Sequence, residues 1–143
     1  MSTSTTSANA LQDLIYKATT WGDIAENDTT SPATNIQIAL HTGAGPTTSS
    51  QSSNEVTVGE WNTYARLNIA RGAGWDAASN GMTQNAAIAQ FVEMASGTGC
   101  TITYVSTGVG GTIIHYGSLA APRTVSAGIQ PQFAANALKS TQT

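Results

Sequence analysis

The run Asn35-Ile36-Gln37-Ile38-Ala39-Leu40-His41 alternates apolar and polar side chains and puts Ile36, Ile38 and Leu40 on one face. A period of two is the signature of a strand with one buried face, and it recurs along the chain. Tyr64-Ala65-Arg66-Leu67-Asn68-Ile69-Ala70-Arg71 places Ala65, Leu67 and Ile69 on one side and Tyr64, Arg66 and Asn68 on the other. Residues 86–94 read as a further strand, with Ile88, Val92 and Met94 set against Phe91. Residues 100–105 are rich in Thr, Ile, Tyr and Val, which favour a pleated surface. Residues 112–119 are nearly apolar on both faces, which predicts a central strand. Residues 123–127 and 129–133 are short strands broken by Gly128, with Pro131 confining the second to an edge; residues 134–139 form one more strand or a terminal turn. Seven to eight short strands with turn signals about every 8–12 residues predict an all-β chain, an antiparallel β-sandwich or jelly roll.

The composition fits that expectation. Thirty-six of the 143 residues are Ser or Thr, while Leu, Ile, Val and Phe together number only 24. So few large apolar residues raise the question of disorder, but disorder also needs high net charge, and here the net charge is −3. Charged residues make up 9 % of the chain, against about 25 % in an ordinary soluble domain. Five Lys and Arg in an acidic chain leave no electrostatic footprint for nucleic acid. No apolar run approaches the roughly 20 residues that span a bilayer, and the N-terminus lacks the basic and apolar regions of a secretory signal. The single Cys100 allows neither an internal disulfide nor a Cys-pair zinc motif.

Residues 1–8 are an uncharged Ser/Thr tract, read as a flexible N-terminal arm ahead of a single domain over 9–143. Asn9 and Gln12 have the spacing of a capping box, and Leu11, Leu14, Ile15 and Ala18 recur at helical intervals. They predict a short amphipathic helix over 10–18, ending at Thr19-Thr20-Trp21-Gly22. Two to three turns cannot stand alone in water, so this helix must dock. Residues 42–54 form a polar loop long enough to be either mobile or used for contact. Residues 72–85 are rich in Gly, Asn and Ser and contain Asn80-Gly81, a strong hairpin-turn dipeptide.

Charges are scarce, so Glu55 and Arg66, each beside a strand start, are the most informative pair; together they would pin the 42–54 loop to the sheet as a structural ion pair. Asp23, Glu26 and Asp28 cluster but lack the glycine and closing Glu of a calcium loop, which points to a solvated segment. His41 with Glu55, or His115 with Glu93, would be acid–base pairs only if the fold joined them, and no spacing supports it. Gly43-Ala44-Gly45 and Gly108-Val109-Gly110-Gly111 lack the Lys-Ser/Thr and the helix that follow a phosphate loop. The residues therefore predict no catalytic set, no cofactor and no metal. Trp21, Trp61 and Trp75 all lie in loop-like segments, either as interface anchors or as caps on the open end of a sandwich. Leu11, Leu14 and Ile15 on the helix are the other interface candidates.

The order of features carries a resemblance. A short helix precedes the Ala39-Leu40-His41-Thr42 strand end. Asn54-Glu55-Val56, Tyr64-Ala65-Arg66 and Thr83-Gln84-Asn85 follow, then Ile113-Ile114-His115-Tyr116-Gly117-Ser118-Leu119 and Pro122-Arg123-Thr124-Val125-Ser126-Ala127-Gly128. From about residue 9 to residue 138 this resembles small virion structural proteins of tailed bacteriophages, a group that includes tail and tail-fibre proteins and capsid cement (decoration) proteins. Gly99-Cys100-Thr101-Ile102 stands where such proteins usually carry Trp-Gly-x-Ile/Val.

The resemblance implies a non-enzymatic structural protein of the virion. Its first expectation is a cement protein on the outer capsid surface, binding the major capsid protein across capsomer junctions as a trimer of copies of itself, with the arm over 1–8 and the helix over 10–18 making intersubunit or capsid contacts. The alternative is a tail or tail-fibre-associated protein. A second alternative, from another class, is a carbohydrate-binding β-sandwich module with the Trp residues as platforms. Nucleic acid and membrane are not expected partners.

Overall fold

A computed structural model describes residues 5–20 and 33–142. The chain is β-rich, with several antiparallel sheets and one short N-terminal helix. It divides into two compact units, one of Met1–Ile36, Ile69–Ala89 and Phe133–Thr143, the other of Gln37–Asn68 and Gln90–Gln132. The boundaries fall inside strands, so each unit is interleaved with the other along the sequence.

In the first unit the chain enters as α1 (Thr5–Gln12) and continues as a π-helical turn over Asp13–Lys17, which Ala18 ends in the left-handed region at φ 57°. Thr5–Ala8, assigned to the arm from sequence, are thus helical, and residues 1–4 lie outside the described residues. The buried face is also not the one expected. Ala8, Gln12 and Tyr16, four apart, are buried, whereas Leu11, Leu14, Ile15 and Ala18 are only half-buried. A polar residue takes the inner position because its partners are there. The Gln12 amide nitrogen donates to the Gly81 and Ser140 carbonyls, and Asn9 accepts from the Gly81 amide. Asn9 and Gln12 therefore do not form a capping box; both reach the Asn80-Gly81 turn.

That turn has positive φ at both central residues, 53° and 72°, and Ser79 and Met82 exchange both backbone hydrogen bonds across it. This is the hairpin geometry the dipeptide predicts. It leads into β3 (Met82–Gln84), a strand hidden from sequence inside a Gly/Asn/Ser-rich stretch. Strand β3 pairs antiparallel with β8 (Lys139–Thr141), Thr83 opposite Ser140. Asn85, fully buried, bonds the Ala87 and Ala134 carbonyls and the Leu138 amide, and so shapes the turn before β8. Trp75 packs edge-on against Tyr16 at 4.4 Å. Lys17 donates to the Gly72 and Trp75 carbonyls, while Arg71 caps the helix end through the Leu14 and Ile15 carbonyls.

The second unit carries most of a four-stranded sheet in the order β2-β1-β5-β6. Its members are β1 (Asn35–Thr42), β2 (Leu67–Ala70), β5 (Cys100–Val109) and β6 (Thr112–Val125). Strand β1 is central, and Ile36, Ile38, Ala39, Leu40 and His41 are buried on both its faces. Strand β2 is shorter than its alternation predicted, and Leu67 and Ile69 form its half-buried face, with Ala65 exposed before it. Strand β5 runs on through Gly108, leaving Gly110-Gly111 as the turn.

Strand β6 corrects the expectation of a central strand. It lies at the end of the sheet order, and of its fourteen residues only Val125 is buried. Apolar content on both faces does not make a strand central when, among the described residues, no strand pairs with its outer edge. The same position explains Pro122. Between the pairs Ile102↔Arg123 and Tyr104↔Ser118, β6 carries four residues against the single Thr103 of β5. Pro122 sits in this bulge on an edge strand, where its missing N–H breaks no ladder.

The expected strand over 86–94 is reduced to β4 (Ala89–Gln90), which pairs with β7 (Gln132–Phe133). Phe91 and Met94 are buried, but Ile88 and Val92 are exposed. Phe91 instead joins Trp61 and Tyr64 in an aromatic cluster, with the Tyr64 and Phe91 rings stacked at 6.3 Å.

Candidate functional site

The scarce charges meet in the second unit. Arg66 donates two hydrogen bonds to Glu55, Nε to Oε1 and Nη2 to Oε2, each 2.8 Å. The fork-to-fork geometry is the strong form of the pair, and both side chains are largely buried, at 25 % and 14 % exposure. Tyr64 completes the cluster: its hydroxyl donates to Glu55 Oε1 and accepts the Leu40 amide. Burial raises the Tyr64 phenol well above its ordinary range, so it stays protonated and remains a donor. The hydrogen bond to Glu55 raises Arg66 further. Tyr64 and Arg66 share a face at i, i+2, so the sequence pattern contained the signal that a third member belonged to the pair.

Beside it lies a buried polar chain that the sequence did not reveal. His41 Nδ1 is 2.9 Å from the Ser53 carbonyl, which can only accept, so Nδ1 carries the proton and Nε2 accepts from the Ser106 hydroxyl at 2.8 Å. Ser106 in turn accepts from Gln51, whose amide nitrogen also donates to the Gln37 carbonyl. Burial lowers the His41 imidazole below its usual pKa. A Ser–His contact at this distance resembles a nucleophile and its base, but both residues are buried (1 % and 0 % exposed), and the contact ties β1 to β5.

These contacts anchor the loop over 42–54. Strand β1 continues the pairing as an isolated bridge, His41 opposite Glu55, with Thr42 donating to the Asn54 carbonyl and Val56 to that of Leu40. Gly45 lies flat on Tyr104: a Cβ there would stand 2.6 Å from the ring, at φ +76°. A segment that the sequence left as mobile or as a contact loop is bound to the sheet at several points.

The remaining candidates separate. Trp61 and Trp75 are 0 % and 1 % exposed, so they are core residues of their own units, not interface anchors or sugar platforms. They are buried because each has an aromatic partner, Tyr64 and Phe91 for one and Tyr16 for the other. Trp21 and the Asp23, Glu26, Asp28 cluster lie outside the described residues. His41 and Glu55 are neighbours across a bridge, yet each bonds elsewhere. His115 stands opposite Thr107 in β6, and Glu93 is exposed after β4. Among the described residues no group of three or more His, Cys, Asp or Glu is placed to hold a metal ion, and no helix is long and apolar enough to cross a membrane. Cys100 is a buried thiol whose pKa is raised by burial. What the surface offers is exposed Val58, Ile88, Val92, Tyr116 and Ile129, and the half-buried Leu11, Leu14 and Ile15.

Among the described residues, Glu55, Arg66, Tyr64 and His41 are the titratable groups brought together, and they are held in the two polar clamps around the 42–54 loop. A family model described as podophage GP4 fiber I protein gp80 matches residues 2–141. The chain belongs to that family. No curated protein matches it. Membership in the podophage fiber I family makes it a small virion structural protein of tailed phages. The family description agrees with the tail and fibre alternative and not with the capsid cement expectation or its outer-capsid location. The resemblance alone did not separate them, because Gly99-Cys100-Thr101-Ile102 departs from the pattern that would fix the subfamily.

Proposed function

We propose that the protein is a non-enzymatic structural component of a phage tail fibre or of the tail structure that carries it. The observation that supports this most is the fibre-family match across residues 2–141. The chemistry is consistent with it. The best-formed polar groups, Glu55–Arg66–Tyr64 and His41–Ser106–Gln51, are turned inward and spent on holding a loop to a sheet. Such a protein contributes rigidity and surface rather than turnover. Its neighbours on this reading are copies of itself and other tail proteins, in place of the major capsid protein that a cement role required. The half-buried Leu11, Leu14 and Ile15 on the helical segment are candidates for such contacts.

The test is localisation on the source particle by cryo-electron microscopy, supported by gold-labelled antibody against the chain. Density and label on the fibres or the tail are expected. Label on the head surface at capsomer junctions would overturn the proposal in favour of cement.

A further inference from the structure

We propose that Asn80-Gly81 is a self-modifying site, where the asparagine deamidates, and that the docked N-terminal helical segment guards it by holding the Gly81 amide. This chemistry belongs to the chain itself and does not depend on its position on the particle.

Asn80 is the only asparagine of the sequence that precedes a glycine. In such a pair the glycine nitrogen loses its proton to hydroxide or a buffer base and attacks the asparagine Cγ. A cyclic succinimide forms, and the side-chain nitrogen leaves as ammonia. Water then opens the ring at either carbonyl, to aspartate or to isoaspartate. The net change is amide plus water to acid plus ammonia. Glycine permits the attack because it has no side chain to obstruct the approach.

The fold needs this labile pair. Both residues have positive φ, as the hairpin turn demands. A Cβ on Gly81 would also stand 2.9 Å from the Gln142 carbonyl oxygen and 3.1 Å from the Ala8 Cβ. The two ends of the reaction are unequally placed: Asn80 is exposed, whereas Gly81, which supplies the attacking nitrogen, is buried.

Three polar side chains of the helical segment converge on the turn. Asn9 accepts from the Gly81 amide, Gln12 donates to the Gly81 carbonyl at 3.4 Å, and Asp13 accepts from the Ala78 amide at 2.7 Å. Positions 9, 12 and 13 have the i, i+3, i+4 spacing of one helical face, so a whole face is committed to this turn. The Gln142 amide holds the Gly81 carbonyl from β8, and the Ser79–Met82 bonds close the hairpin, but neither contact engages the Gly81 nitrogen. Asn9 does.

An amide held in a hydrogen bond is protected from base until its structure opens locally. Terminal segments open at the low end of the free-energy scale, so release of the helix frees the Gly81 nitrogen before the rest of the chain unfolds. Isoaspartate then adds a backbone atom between positions 80 and 81 and displaces Gly81 from Asn9 and Gln12. Release and modification therefore favour each other.

The experiment incubates the full chain at mildly alkaline pH and follows position 80 by peptide mass spectrometry and enzymatic isoaspartyl methylation. Wild type is expected to convert several-fold more slowly than the chain unfolded in urea, and at Asn80 before any other asparagine. Asn9→Ala, shown folded by its urea melt, is expected to convert several-fold faster than wild type. Asn9→Asp, which keeps an acceptor for the Gly81 amide, is expected to stay near the wild-type rate. A reading that needs no variant is hydrogen exchange at Gly81: in urea below the global transition, exchange and deamidation are expected to rise together. A folded Asn9→Ala at the wild-type rate, a wild type as fast as the unfolded chain, or deamidation that rises only with global unfolding would each overturn the proposal.

Discussion

Arg66 and Glu55 are locked by two parallel 2.8 Å hydrogen bonds, in a chain where charged residues are 9 % of the total. The pair joins the end of a thirteen-residue polar loop to the approach of β2, and Tyr64 ties it to the β1 backbone at Leu40. Removing one member leaves the others largely buried and unpaired. Glu55→Ala is therefore expected to destabilise the fold by about 1–3 kcal/mol, read as a lower urea midpoint at unchanged slope. Arg66→Lys, which cannot reproduce the fork, is expected to cost part of this. The double variant Glu55→Ala/Arg66→Ala should cost less than the sum of the singles; strict additivity would show that the pair is uncoupled.

His41 predicts a pH dependence. Burial lowers its pKa in the folded state, so the unfolded chain takes up a proton first as the solution is acidified. The unfolded state then binds more protons, and stability rises with pH through that window. The His41 contribution is complete above the unfolded value of about 6.5 and is lost progressively as pH falls below it. Urea melts between neutral and mildly acidic pH should show this slope, and His41→Gln should flatten it. A variant with the wild-type slope would assign the effect to another group.

Two glycines in the same loop separate backbone strain from steric space. Gly43 and Gly45 both have positive φ, 59° and 76°, but only Gly45 lies against a ring. Gly43→Ala is expected to cost about 1–2 kcal/mol, the left-handed penalty alone. Gly45→Ala should cost clearly more, since Tyr104 must also move. Equal thermal-melt losses for the two would contradict the close packing.

Trp61→Ala and Trp75→Ala are each expected to lose about 3–5 kcal/mol, the range for deleting a buried aromatic. Leu14→Ser, on the half-buried side of the helical segment, should lose far less. Chemical denaturation of the three variants checks this order. A Trp variant with near wild-type stability would return that residue to the surface.

The amino-acid sequence by itself determined what is local. The alternation through Ile36, Ile38 and Leu40 makes a strand wherever it lies, because successive side chains point to opposite faces. Asn80-Gly81 makes a tight hairpin because both residues accept positive φ. Scarcity of charge singled out Glu55 and Arg66. Tertiary structure decided which surfaces are inside. Gln12 is buried and Leu11 is not, because the carbonyls of Gly81 and Ser140, far away in sequence, await an amide. Trp61 and Trp75 became core when other segments supplied aromatic partners, and β6, apolar on both sides, became an edge because, among the described residues, β5 is the only strand beside it. Periodicity depends on neighbours along the chain, but burial depends on neighbours in space, which no local pattern specifies.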